Sequence, residues 1–139
     1  MLSRTSRLAL RAAAFLAGVA PDDRPTPVAV IADALGEPRN YLSKILHQLA
    51  KRGVLSSVRG PSGGFSVSAD PTEIKLIEVV DPAESVFAER ECLLGQAVCS
   101  DASPCSAHDH WSELNDALKT FLEETTLADL ASHGGARSR

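Results

Sequence analysis

Residues 39–64, RNYLSKILHQLAKRGVLSSVRGPSGG, constrain the fold more than any other stretch of the chain. The first half has the period of a helix. Leu42, Ile45, Leu46 and Leu49 stand at i, i+3, i+4 and i+7 and make one apolar stripe. Asn40, Ser43, Lys44, His47 and Lys51 fall on the opposite face, with no carboxylate among them. A helix that buries one face and offers donors and cations on the other suits a DNA major groove. An ordinary solvated helix face would have a similar composition, so the continuation matters. Gly53 fits a helix stop. Val54 to Val58 reads as a strand, Arg59-Gly60-Pro61-Ser62-Gly63-Gly64 as a turn, and Phe65 to Ser68 as a returning strand. A helix followed by a hairpin with Arg59 at its tip is the winged-helix arrangement. The helix lies in the major groove and the wing arginine reaches toward the minor groove.

The net charge of −4 argues against a nucleic-acid partner until its distribution is considered. Residues 1–36 sum to +1, residues 37–60 to +4 and residues 61–139 to −9. A basic segment in an acidic chain is the footprint of a local electrostatic interface. At 139 residues and 44% hydrophobic, the chain can bury one core, built mainly from Leu, Val, Ile and Ala because aromatics make up only 4%. No run approaches the roughly 18 apolar residues of a membrane span. The first twenty residues have the outline of a signal peptide. Arg11 interrupts that run, and Leu8, Ala12, Phe15, Leu16 and Val19 form a helical stripe instead, as in a core helix.

Taken in order, Ser3 caps a first helix over about 4–19. Thr26 caps a second, with Pro27 at its first position and an end at Gly36. Pro38 opens the third, so the second and third make a helix-turn-helix. After the wing, Asp70-Pro71-Thr72 opens a fourth helix over about 72–80, ended by Asp81-Pro82. Residues 83–90 are compatible with one more helical turn. A long helix runs from Ala107 to about Glu124, with Trp111, Leu114, Leu118, Phe121 and Leu122 as its apolar stripe. A small domain has too little core to cover such a stripe, which a second copy could cover. Residues 125–131 form a short final segment, and the Gly-rich end from Ser132 has a disordered composition. The fold class is therefore mainly α with a small β-hairpin wing. A winged helix-turn-helix domain (1–81) is followed by a linker and cysteine-rich loop (82–106), a dimerisation segment (107–131) and a tail (132–139).

The loop carries Cys92, Cys99 and Cys105 in a C-x6-C-x5-C spacing, with His108 following as C-x2-H. Three clustered cysteines fit a reduced compartment and a ligand or thiol role better than a disulfide framework. Thiolates with an imidazole are ligands for an iron–sulfur cluster or zinc. The spacing lacks the paired C-x2-C of structural zinc sites. Three readings stay open: an iron–sulfur cluster, a thiol switch or zinc site, and inert buried cysteines. His110 and His133 read as surface and tail residues.

These residues together resemble the Rrf-type winged-helix regulators, the family of IscR, NsrR, RirA and CymR. SRLALRAAAFLA resembles its first helix, NYLSKILHQLAKRGVLSSVRGPSGGF its recognition helix and wing, and TTLADL its C-terminal segment. Cys92, Cys99, Cys105, His108 and Trp111 match the pattern of its cluster-binding members. The resemblance implies a cytoplasmic homodimer built on the long helix and bound to a partly palindromic DNA operator. It also implies a cluster held by the three cysteines and His108. The histidine matches the IscR branch and points to 2Fe–2S in preference to 4Fe–4S. The chain departs from the family at Leu8, where a Tyr is common. Arg7 stands where the nitric-oxide-sensing branch has an acidic ligand, and the first cysteine gap is one residue longer than in IscR itself.

The expectation is a dimeric transcriptional regulator, a repressor by resemblance, with no small-molecule substrate and no membrane partner. Asn40, Tyr41, Ser43 and Lys44 would read bases or hold phosphates. Arg39 and Lys51 would hold the backbone, and Arg59, beside Ser62, would enter the minor groove. The loop would sense iron, redox or nitric oxide status. An enzyme is disfavoured: there is no C-x-x-C pair, no nucleotide-binding glycine loop and no convergent acid–base set. A scaffold that stores a cluster without touching DNA is the other rival, separable by salt-dependent DNA binding.

Overall fold

The computed structural model describes residues 2–84, 92–95 and 100–132. Cys99, His133 and most of the 83–90 segment lie outside them. The described residues form six helices and one hairpin. These are α1 (Arg4–Ala17), α2 (Val28–Leu35), α3 (Arg39–Lys51), β1 (Leu55–Val58), β2 (Gly64–Val67), α4 (Leu76–Val79), α5 (His108–Glu124) and α6 (Leu127–Ser132). The mainly helical winged helix-turn-helix architecture is as expected.

Ser3 caps α1 by accepting the Ser6 N–H at 3.1 Å. Ala9, Ala12, Ala13 and Ala14 are all buried, and their small side chains let neighbouring helices approach α1 closely. α3 buries Leu42, Ile45, Leu46 and Leu49, the stripe anticipated from its period. Between them α2 buries Ile31, Ala32 and Leu35 and ends at Gly36, whose φ of 67° is the left-handed geometry of a helix stop. β1 and β2 pair antiparallel, Leu55 opposite Val67 and Val58 opposite Gly64.

Two boundaries differ from the sequence reading, and both have a backbone cause. Thr26 does not cap α2 with its side chain. Its N–H donates to the Phe65 carbonyl at 2.9 Å and its own carbonyl accepts the Phe65 N–H at 2.8 Å. That isolated bridge ties the wing to the start of α2, which begins only at Val28. The helix expected over 72–80 is confined to Leu76–Val79. The Asp70 carboxylate accepts the Thr72 N–H at 2.9 Å and closes a turn. Lys75 then pairs with Thr126, flanked by Leu76 N–H to Thr125 O and Leu127 N–H to Ile74 O, both 2.9 Å. Ile74 and Lys75, held in this extended pairing, are not available to a helix, and Leu76 can only begin one.

The same pairing carries the C-terminal part back onto the first helix. Leu122 and Leu127 are fully buried in the core that α1, α3 and α4 share, and α6 packs on α1. Leu122 therefore belongs to its own protomer's core and not to an open face, which corrects its assignment to a dimer surface. Leu118 and Leu130 pack partly against the same core. Leu114 and Phe121 remain exposed at 62% and 51%.

Candidate nucleic-acid interface and metal site

The outward face of α3 is built by exclusion. Once the Leu/Ile stripe is buried, Arg39, Asn40, Lys44, His47 and Lys51 have nowhere to go but solvent, and all are exposed. Ser43 is half-buried at the edge of that face. Tyr41 turns toward α1: its hydroxyl lies 3.2 Å from Thr5 Oγ1 and the Arg4 guanidinium sits 5.1 Å above its ring. On the other flank His47 meets Phe65 of the wing edge-on, ring centroids 5.1 Å apart. A groove of about 430 Å³ opens there, lined by Pro27, His47, Arg59, Pro61 and Phe65 among others. Arg59 and Ser62 are exposed on the wing turn. The turn is tight enough to require glycine. A Cβ on Gly63 would sit 2.1 Å from the Val58 carbonyl oxygen, and one on Gly64 the same distance from that of Thr26.

The electrostatics are cleaner than a charge count suggests. Glu37, the acidic residue of the 37–60 segment, is engaged by Arg4 Nη2 and Arg11 Nη1, each at 3.2 Å. Arg52, counted in the basic segment, is turned away from the outward face. Its guanidinium donates to the carbonyls of Glu78, Val79 and Val80 at 3.3, 3.0 and 2.8 Å and so caps the end of α4. Burial lowers its proton affinity, with Asp81 partly offsetting this. Arg39, Lys44, Lys51 and Arg59 are left to give the outward face of α3 and the wing a uniform positive sign.

Of the cysteine loop, Asp101 and Cys105 lie against the first turn of α5. Cys92 is buried and Cys105 half-buried. His108 is buried in the first turn of α5; its N–H donates to the Cys105 carbonyl at 3.1 Å and its Nε2 lies 2.7 Å from Asp101 Oδ1. In kind the donors fit an iron–sulfur group or zinc: thiols, and an imidazole whose ring is held by a carboxylate. In position, no three His, Cys, Asp or Glu side chains converge among the described residues. Sequence reasoning missed Asp101, Arg52 and the Arg4–Glu37–Arg11 bridge, because each depends on which group a side chain meets once the chain is folded.

A buried carboxylate, Glu84, holds the approach to this loop. Glu84 Oε1 accepts the Ser3 N–H at 2.7 Å, and Ser6 Oγ accepts the Asp81 N–H at 2.9 Å. Burial pushes the Glu84 carboxyl up, but hydrogen bonds from the Ser3 and Ser6 hydroxyls and the Ser3 N–H outweigh it and hold it below the usual range. No helix of the described residues is long and apolar enough to cross a membrane.

This geometry has known counterparts. A relative in Aquifex aeolicus (strain VF5), whose name places it among HTH-type transcriptional regulators, is 38% identical over 132 residues, 94% of this chain and 90% of its own. The HTH-type transcriptional regulator IscR of Escherichia coli (strain K12 / DH10B) is 33% identical over 109 residues, covering 78% of this chain and 67% of IscR. The structure of CymR, described as the global cysteine regulator of B. subtilis, superposes with a TM-score of 0.79 at 26% identity, covering 96% of this chain and 97% of that one. These relatives are regulators of transcription, not enzymes. The family model described as Rrf2, iron-dependent transcriptional regulator, matches residues 2–133, and the chain belongs to this family of transcriptional regulators.

Proposed function

We propose that this chain is a cytoplasmic, dimeric repressor that binds an operator through α3 and the wing and senses iron, redox or nitric oxide status through its cysteine loop. The observation that carries the DNA-binding half is the acid-free outward face of α3, flanked by the exposed Arg59 of the wing. Asn40, Ser43 and Lys44 face base edges, with Tyr41 at the margin. Arg39, Lys51 and Ser62 hold phosphates, and Arg59 enters the minor groove. Trp111, Leu114, Leu118 and Phe121 of α5 supply the surface for a second copy, Leu114 and Phe121 being its exposed members.

Cys92, Cys99, Cys105 and His108 would hold an iron–sulfur group, 2Fe–2S in preference to 4Fe–4S. When bound, such a group supplies a centre that responds to oxidants, nitric oxide and iron supply. Within the chain, rearrangement of the loop is passed to α5 through the Cys105–His108 backbone bond and the Asp101–His108 contact. Tilting α5 would change the spacing of two recognition helices across a dimer. The test is the visible spectrum, iron and sulfide content of anaerobically purified protein, followed by operator affinity with and without the group. Equal affinities contradict the switching mechanism.

A second reading, a thiol switch or zinc site without a cluster, draws on one observation. Among the described residues, no three metal-ligating side chains converge. Colourless protein that carries zinc alone, or whose operator affinity follows disulfide formation, would favour it.

A further inference from the structure

We infer that the N-terminal turn of α1 is a phosphate-binding face, with Arg4 and Arg7 gripping the DNA backbone beside the recognition helix. The inference rests on the DNA-binding reading above and extends it to a surface remote in sequence from α3 and the wing. Arg4, Arg7 and Arg11 stand at i, i+3 and i+7 on one face of α1 and, with Leu8 and Glu37, line a groove of about 430 Å³. Three guanidiniums face one carboxylate, so the groove carries a formal +2. Their roles divide. Arg11 spends Nη1 on Glu37 and Nη2 on the Leu35 carbonyl at 2.7 Å, fastening α1 to the end of α2. Arg4 touches Glu37 with one nitrogen only, and its side chain is 73% exposed. Arg7 is exposed, and among the described residues its side chain has neither ion pair nor hydrogen bond.

Position selects the partner. At 3.6 residues per turn, Tyr41 and His47 each stand about 60° from Lys44, on opposite sides of it. The His47 side carries the wing, through the ring contact with Phe65. The Tyr41 side carries α1, through Thr5 and the stacked Arg4. A duplex laid along Lys44 therefore has the wing on one margin and the arginine groove on the other. The backbone strands bound the major groove, about 12 Å wide, on both sides. Guanidinium forks match phosphate oxygens, and Glu37 holds Arg4 extended toward them.

The test uses the full chain, an operator duplex selected from genomic fragments, and a random duplex of equal length. Affinity is measured by fluorescence anisotropy across a salt series, with sedimentation in parallel. Arg7→Ala, which removes no hydrogen bond or ion pair among the described residues, is expected to weaken binding to both duplexes about threefold to tenfold. It should also reduce the salt slope by about one, and Arg4→Ala/Arg7→Ala by about two. Arg7→Lys should keep the slope. An unchanged affinity and slope in the double variant, while Arg59→Ala still weakens binding, overturns the inference and leaves the function standing. Loosened self-association with DNA affinity per dimer unchanged also overturns it, since the groove then serves the acidic surface of a second copy. If the wild-type chain binds neither duplex, the reading beneath the inference falls with it.

Discussion

The imidazole Nε2 of His108 lies 2.7 Å from Oδ1 of Asp101, which joins the loop to the first turn of α5. A carboxylate oxygen accepts, so this contact calls for a proton on Nε2. The Asp101 side chain is 97% exposed, so the pair itself contributes no more than about 1 kcal/mol. Asp101→Ala is accordingly expected to leave thermal stability almost unchanged. It should shift the ring nitrogen resonances of His108 and lower the iron retained after anaerobic reconstitution. Unaltered ring resonances would show that the contact is not formed in solution.

Glu84 gives the fold an acid-sensitive fastening between α1 and the approach to the loop. Its carboxyl is depressed in the folded chain, so the unfolded chain binds the proton more readily. The resulting stability is present above the unfolded value, about 4.3, and is lost as pH falls through the lower folded value. Glu84→Gln should therefore cost stability at neutral pH, and the gap to wild type should narrow below about pH 4. Urea midpoints from pH 3 to 7 check this; a gap independent of pH would contradict it.

Arg52 joins α3 to α4 through three backbone carbonyls next to the fully buried Val79 and Val80. Arg52→Ala leaves those carbonyls without their charged donor and is expected to cost about 1–3 kcal/mol in denaturant unfolding. Arg52→Lys should recover only part of this, because one ammonium cannot span three acceptors. DNA affinity of the folded variant should be unchanged, in contrast with Lys44→Ala.

Gly64→Ala places a methyl group 2.1 Å from the Thr26 carbonyl oxygen. The wing must then leave the Thr26–Phe65 bridge or α2 must move. A loss of about 2–4 kcal/mol is expected, together with faster amide exchange at Phe65. Unchanged protection at Phe65 would mean that the wing is not anchored there.

The legible parts of this chain were those set by local period and turn chemistry. The Leu42–Leu49 stripe, the Ser3 cap, the wing and the span of α5 follow from residues close in sequence. The helix expected over 72–80 failed because residues 74–76 pair with 125–127, a partner fifty residues away. Leu122 looked like part of an open stripe because α6 had not yet been placed on α1. Arg52 entered only as one charge of the basic segment 37–60, because composition cannot say which side of a helix end a guanidinium will choose. The candidate metal donors were visible as residue types, while Asp101, their link to α5, was visible only in three dimensions.

The most direct test of the account is to incubate the anaerobically purified chain with sheared genomic DNA and sequence the fragments that it retains. The wild-type chain should enrich fragments that share a partly palindromic site, with binding that weakens steeply as salt rises. Lys44→Ala and Arg59→Ala should each lose about 1–3 kcal/mol on that site while remaining folded. Retention without any shared sequence, or equal binding by both variants, would contradict recognition through α3 and the wing.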